Sequence, residues 1–171
     1  MVVGFAGSRS LQARWFPLVR SVVSWVGSRG GGVVVGDAFG CDFSVARACS
    51  SLGVRCLVVA PPSPWSRLSF AASGRVPSGV VVSSALVPPS LPLSRRLALR
   101  SRVVASFCSL AFVFGSGRGS LGVFARSVLS RGGSVVWFPC GSSLSVLSSF
   151  GLRAVGRVRV GSVWGWRLAL S

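Results

Sequence analysis

Residues 33–42 read VVVGDAFGCD, and this stretch decides the fold. Its three valines predict a short buried strand, and its two glycines predict a tight turn. A helix is expected over residues 43–52, and Asp42 occupies the position of its N-cap. A strand that passes through a glycine turn directly into a helix is the unit from which parallel α/β sheets are built.

The same succession recurs on both sides of this stretch. Further short apolar runs predict strands at residues 2–6, 54–60, 80–82, 110–114 and 134–138. Longer amphipathic runs predict helices at residues 11–26, 93–107 and 120–130. The segment 61–92, rich in Pro and Ser, is interpreted as a surface excursion around the strand at 80–82. The pattern predicts an α/β, Rossmann-like, doubly wound fold whose mostly parallel sheet carries helices on both faces.

A length of 171 residues predicts one domain, residues 1–171. The tail, residues 151–171, alternates Arg with Val and ends with Trp164 and Trp166. We interpret it as a basic extension that forms an edge strand or a hairpin.

The amino-acid composition is strongly biased. Lys, His, Glu, Asn, Thr, Ile and Tyr are absent, all 19 basic residues are Arg, and Asp37 and Asp42 are the only carboxylate side chains. The missing residues are those whose codons mostly need adenine, which suggests a gene depleted in adenine. The net charge of +17 predicts attraction to phosphates, nucleic acid or anionic lipid. Codon bias alone could also produce it, because Arg is the base that remains when Lys is excluded.

Cysteines and hydropathy bear on cofactors and location. The five cysteines lack metal-ligand spacing and have no His partners, so we expect reduced core residues and no metal site. The N-terminus begins directly as a strand, without the basic segment of a signal peptide. The charge-free stretches 76–94 and 132–152 are interrupted by Pro, Gly or Ser, so no membrane span is expected. These features favour a cytoplasmic protein.

Three glycine-rich turns follow predicted strands, at residues 7–9, 36–40 and 115–120. In a parallel sheet such turns lie at one edge, where helix N-termini favour anions. Glycine allows close approach, Ser supplies a hydroxyl group, and Arg pairs with phosphate. Any one of these turns could need glycine for backbone geometry alone. Taken together, the three predict a cradle for a phosphate group.

Residues 3–9, 34–42, 99–102 and 115–120 together resemble the SLOG superfamily, which joins DNA-processing protein A to the Lonely Guy phosphoribohydrolases. Residues 36–42 are similar to its G-x-A-x-G-x-D pattern. The resemblance implies a nucleotide as ligand, with Arg100 or Arg102 reaching it and Asp42 capping its helix or holding the loop. Our ligand-binding candidates are Gly7, Ser8, Arg9, Gly36, Asp37, Gly40, Asp42, Arg100, Arg102, Gly115, Ser116, Gly117, Gly119 and Ser120.

Catalysis is not favoured. The phosphoribohydrolases carry a catalytic Glu after their last glycine turn, and this chain has no Glu. Without His, Lys or Tyr, acid–base chemistry would depend on Asp37, Asp42 or a perturbed Cys. The two aspartates are either an acid–base or Mg²⁺ pair or, more simply, a loop hydrogen bond and a helix N-cap. Separately, the position of Asp37 just after the strand end and Gly36 predicts that it faces the ligand edge, where it could accept ribose hydroxyls.

Two main functions and a weaker third stay open. The first is a nucleotide-binding module that acts as a sensor or as a component of an assembly, and it could form a homo-oligomer. The second is a single-stranded DNA-binding protein similar to DNA-processing protein A, since Arg and exposed Trp can bind phosphates and stack on bases. The third is a hydrolase of a nucleotide derivative.

The candidates for nucleic-acid contact in the second function are Arg95, Arg96, Arg118, Arg157, Arg159, Trp164, Trp166 and Arg167. These tryptophans could instead be a core lid or an oligomer contact.

Overall fold

The computed structural model describes residues 1–60, 69–85, 87–88, 90–115 and 120–171. The strands are β1 (Val2–Gly7), β2 (Gly32–Val35), β3 (Cys56–Ala60), β4 (Val80–Ser84), β5 (Leu110–Phe114), β6 (Ser134–Phe138), β7 (Leu152–Val160) and β8 (Val163–Leu170). The α-helices are α1 (Phe16–Gly27), α2 (Cys41–Leu52), α3 (Leu93–Ser106) and α4 (Arg126–Leu129). A π-helical segment, Ser120–Ala125, leads into α4, and 3-10 turns lie at Ala13–Trp15, Leu144–Val146 and Ser148–Phe150.

The strands form one sheet in the order β4-β3-β2-β1-β5-β6-β8-β7. The first six strands in this order are parallel, whereas β8 runs antiparallel to both β6 and β7. The tail is therefore a hairpin that extends the sheet, with β7 as its edge strand. The predicted Rossmann-like α/β fold is confirmed.

Helices cover both faces because the buried strands are apolar on both sides. On one face α1 and α2 pack over a cluster of rings that includes Phe5, Phe112 and Phe114. The buried positions of α1 follow helical spacing: Val19, Val22, Val23 and Val26. On the other face α3 and α4 cover residues such as Trp137. Each face thus has its own core.

Four local predictions were wrong. The helix predicted over residues 11–26 begins at residue 16, after a 3-10 turn. The helix predicted to begin at residue 43 begins at Cys41, because Gly40 rather than Asp42 is its N-cap. The helix predicted over 120–130 is π-helical in its first six residues. The excursion after β3 is not confined to the surface, since Phe70 is fully buried and its ring centroid lies 5.2 Å from that of Phe43. Residues 61–68 of that excursion lie outside the described residues.

Within the described ranges, no helix is both long enough and apolar enough to cross a membrane.

Candidate functional site

The direction in which the chain winds through the sheet reverses between β1 and β5. From β1 the strands proceed outward to β4, and the chain then crosses back to place β5 on the other side of β1. In parallel α/β sheets a ligand crevice opens at such a switch point, outside the carboxyl ends of the strands. The loops after β1, β2 and β5 meet this edge, and they contain the three glycine turns noted in the sequence.

The loop after β1 is held between β5 and α2. Ser8 N donates to Phe114 O at 3.0 Å, and Cys41 N donates to Ser8 O at 3.0 Å. Gly7 is buried between the same neighbours, where a Cβ would collide with the Cys41 side chain and the Phe114 carbonyl. Arg9 is exposed. The backbone of this loop is therefore fixed, while the Arg9 side chain is accessible from solvent.

Gly40 allows the loop after β2 to pack against the loop after β1. Its φ is +89°, and a Cβ there would collide with the backbone of Arg9. This conformation favours glycine, and the close approach also requires it. Packing between the two loops thus accounts for the glycine at position 40, and contact with α2 and β5 accounts for the glycine at position 7.

The third loop begins at Gly115 and touches the first. Gly115 N donates to Phe138 O at 2.8 Å, and Gly115 O accepts a hydrogen bond from Trp137 Nε1 at 2.9 Å. A Cβ on Gly115 would lie 3.3 Å from the Cβ of Ser8. The predicted residues Ser116, Gly117, Arg118 and Gly119 lie outside the described residues, and Ser120 begins the π-helical segment.

A buried ion triad lies beneath these loops. Arg100 Nη1 donates to Asp37 Oδ1 at 2.7 Å and to Asp42 Oδ2 at 3.5 Å. Asp37 is completely buried, and Asp42 and Arg100 are 6% and 8% exposed. Asp42 Oδ2 also accepts a hydrogen bond from Ala38 N at 3.2 Å. A Cβ at Gly36 would collide with the Arg100 guanidinium, so glycine at this position makes room for the ion pair.

Charge in the triad is incompletely balanced, because two carboxylates share one guanidinium. Burial raises the pKa of Asp42 to about 6, although Arg100 and the Ala38 N–H act in the opposite direction. Asp37 Oδ2 is buried without a hydrogen-bond partner among the residues that the structure describes. The triad ties the loop after β2 to α3, which is distant in sequence.

The structure corrects the sequence-based predictions for the residues of the triad. Asp42 is not the N-cap of α2 but lies in its first turn and holds the loop. Asp37 does not face the ligand edge, since its side chain is buried against Arg100. Arg100 bridges the aspartates, and this arrangement replaces the proposed acid–base or Mg²⁺ pair. The adjoining cavity, lined by Gly36, Asp42 and Arg100, has a volume of only about 10 Å³. That is about the size of one water molecule.

Other predicted basic residues lie apart from this triad. Arg102 is exposed on α3 and lines a separate groove with Gly122 and Arg126. Arg95 and Arg96 lie near the beginning of α3. The structure therefore brings Gly7, Ser8, Gly40 and Gly115 together but does not bring Arg102 to them.

The hairpin brings four of the predicted nucleic-acid residues onto one face. Arg157 pairs across the strands with Trp166, and Arg159 pairs with Trp164. Side chains alternate along a strand, so all four share a face, and Arg167 lies on the opposite one. The Arg157 guanidinium lies 5.2 Å from the ring centroid of Trp166, and Trp164 is 59% exposed.

Cys140, expected in the core with the other cysteines, is instead half-buried and follows β6 at the same end of the sheet. Its φ is +51°, the one positive φ of a non-glycine residue in the described part of the chain. Burial raises the pKa of its thiol to about 11, against the effect of a hydrogen bond with the Gly115 backbone. The thiol is therefore protonated at neutral pH and is a poor nucleophile. A Cys directly after a strand and Pro139 was the available signal.

The structure resembles solved proteins of two kinds. DNA processing protein A from Streptococcus pneumoniae superposes with a TM-score of 0.64 at 22% identity, over 86% of this chain and 53% of that one. The protein of the same name from Helicobacter pylori, described with a single-stranded DNA binding mode, gives 0.64 at 14% identity over 81% and 65%. The molybdenum cofactor carrier protein from Chlamydomonas reinhardtii gives 0.62 at 13% identity over 87% and 81%.

These likenesses establish a shared fold, the Rossmann-like fold that the resemblance to the SLOG superfamily implied. This chain spans between about half and two thirds of the two DNA processing proteins. No protein-family model and no curated protein matches the sequence.

Proposed function

We propose that this chain binds a phosphate-bearing nucleotide at the carboxyl ends of β1 and β5. The observation that carries the proposal is the convergence of Ser8, Gly115 and the N-terminal end of α2 at the switch point, with Arg9 exposed beside them. Such an edge offers backbone N–H groups, a helix dipole and a cation to an anion. The two kinds of structural neighbour support a ligand-binding module.

The ion triad has a positioning role in this proposal. Arg100 links α3 to both aspartates and so fixes the backbone between Gly36 and Asp42. Because that loop packs on the loop after β1, the triad indirectly fixes Arg9 as well. Arg9 is then the side chain we expect to touch the phosphate, while the triad does not contact the ligand.

The proposal is tested by calorimetric titration with ATP and AMP. Arg9→Gln should weaken binding at least about tenfold, because a hydrogen bond to a charged group is worth about 1.5–3 kcal/mol. Arg55→Gln is the matched control. Arg55 is exposed and directly precedes β3, so it lies at the amino ends of the parallel strands, opposite the proposed site. Equal losses in the two variants, or no binding of either nucleotide by the parent, would overturn the proposal.

A second candidate function is binding of single-stranded DNA by the hairpin, favoured by the exposure of Trp164 beside Arg157 and Arg159. Base stacking on an aromatic ring is worth about 1–3 kcal/mol. Trp164→Ala should therefore weaken oligothymidylate binding about fivefold or more and leave duplex binding unchanged. The half-buried Trp166 is kept, because it packs against the core. Equal effects on both forms of DNA would contradict stacking.

A further inference from the structure

A groove with a volume of about 840 Å³ lies along α1, apart from the glycine loops. It is bounded by the end of α2 and by the turn that joins β7 to β8. Three arginines line it, Arg20, Arg29 and Arg159, together with hydroxyl side chains that include Ser21 and Ser24. Its composition is thus cationic and rich in hydrogen-bond donors.

Each of the three guanidinium groups is held by a local contact. Arg20 Nη1 donates to a serine hydroxyl of α2 at 2.6 Å. The guanidinium of Arg29 lies 4.0 Å from the ring centroid of Trp25. Arg159 Nε donates to a carbonyl oxygen in the turn between β7 and β8 at 3.0 Å. A guanidinium carries five N–H donors, so these contacts orient the groups without using most of their donors.

The charges of the groove are not balanced by the protein. The chain has only two carboxylate side chains, and both contact Arg100 in the buried triad. Among the described residues no other arginine lies within 4.0 Å of a carboxylate side chain. An anion that enters the groove therefore meets oriented guanidinium groups with no internal competitor.

We infer that this groove binds a chain of phosphate groups. Guanidinium matches phosphate geometry in a bidentate way, and Ser hydroxyls add further donors. Arg20 lies within α1, Arg29 follows its C-terminal end and Arg159 lies near the end of β7. Three arginines spread in this way fit several linked phosphates better than one. A free oligophosphate and the backbone of a nucleic-acid strand share this chemistry. A flat anionic membrane fits less well, because α2 and the hairpin turn flank the groove.

The test uses inorganic tripolyphosphate and a fluorescent oligothymidylate as probes. Arg20→Gln, Arg29→Gln and Arg159→Gln should each weaken tripolyphosphate binding about tenfold, because each removes charge-assisted hydrogen bonds. Arg55→Gln removes the same charge outside the groove and should change affinity less than twofold.

A steric variant distinguishes a built site from general attraction. Ser24 is an exposed helical residue in the groove, so Ser24→Leu should fold normally while filling space and keeping the net charge. Loss of tripolyphosphate binding alone would support a free oligophosphate, and loss with both probes would support a nucleic-acid strand. No effect of Ser24→Leu, equal losses in Arg55→Gln, or binding only to phosphatidylserine vesicles would overturn the inference.

Discussion

At the residue scale, Arg100 holds the buried ion triad together. It is the partner of two buried carboxylates, and glycine at position 36 leaves the space that its guanidinium occupies. A buried ion pair adds little net stability compared with apolar residues, but breaking it leaves charge buried without a partner. The triad is therefore expected to be sensitive to loss of one member.

Arg100→Leu should destabilise the protein by about 3–5 kcal/mol at neutral pH, because Asp37 and Asp42 would stay buried without a counterion. The cost should shrink near pH 4, because burial raises the pKa of Asp42 to about 6 and that carboxyl group is then protonated. Urea unfolding at both pH values measures this. Arg102→Leu, two residues further along α3 at an exposed position, is the control and should change stability by less than about 0.5 kcal/mol. Similar costs for the two variants would contradict a structural role of the triad.

The pH dependence of stability also depends on this triad. Burial raises the pKa of Asp42 from 3.8 to about 6 in the folded protein. The folded state then binds more protons than the unfolded state between about pH 4 and pH 6, so stability falls as pH rises through this window, by up to about 3 kcal/mol. The chain has no His or Glu to obscure the effect. The free energy of unfolding should decline across this range in the parent and stay flatter in Asp42→Asn. A decline that persists unchanged in that variant would assign it elsewhere.

At the scale of elements, the packing of the loops after β1 and β2 fixes the geometry of the candidate site. Gly40 and Gly53 bound the same helix, α2, and both have positive φ. They differ in their surroundings, because a Cβ at Gly40 would collide with the backbone of Arg9, whereas a Cβ at Gly53 meets nothing within 4 Å. Their backbone conformations differ as well, since Gly53 lies in the left-handed α region and Gly40, with ψ of -122°, lies outside it.

Gly53→Ala should therefore cost about 1–2 kcal/mol, the penalty of a left-handed backbone for a residue with a side chain. Gly40→Ala should cost clearly more, because its backbone lies outside the left-handed α region and because the loop after β1 would have to move. Urea unfolding of the two variants measures the difference. Equal costs would mean that the loops separate easily, and the edge would then be less preorganised than described.

The sequence was sufficient for most elements and for their sheet. The strands at 110–114 and 134–138 were predicted with the bounds that β5 and β6 have, because glycine, serine or proline bounds each apolar run. Periodicity could not separate a π-helical start from an α-helix at 120–125, since the two patterns hardly differ over six residues. Alternation of Arg and Val predicted strand β7, but the face that carries the tryptophans depends on the register of β8 against β6, in which Trp166 pairs with Trp137.

The site was predictable only in outline. Parallel topology places the glycine turns at one edge, and that inference needs no side-chain detail. The pairing of Arg100 with Asp37 joins residues 63 positions apart, and no local pattern records it. Asp37 was therefore assigned to a ligand rather than to a buried partner. The groove along α1 could not be predicted from the sequence for the same reason, since Arg159 reaches it from the other end of the chain.

At the scale of the whole molecule, charge is the dominant feature. The net charge is +17, and the only carboxylate side chains are paired with Arg100 in the interior. The exposed charged side chains are thus all arginines, and they repel one another at low ionic strength. Folding brings these charges closer together than they are in the unfolded chain, so the repulsion opposes the folded state.

The melting temperature should accordingly rise when sodium chloride increases from about 0.01 M to about 0.1 M, because the Debye length falls from about 30 Å to about 10 Å. Sodium sulfate at the same ionic strength should raise it further, because sulfate resembles phosphate and can bind where guanidinium groups converge. An anion present at about ten times its Kd stabilises the folded state by about 1.4 kcal/mol, which corresponds to a few degrees for a chain of this size.

The excess effect of sulfate should be reduced in Arg29→Gln and retained in Arg55→Gln, while the chloride effect should persist in both. If the two salts have equal effects, the positive charge acts only as a diffuse field. If neither salt raises the melting temperature, repulsion among the arginines is not what limits stability.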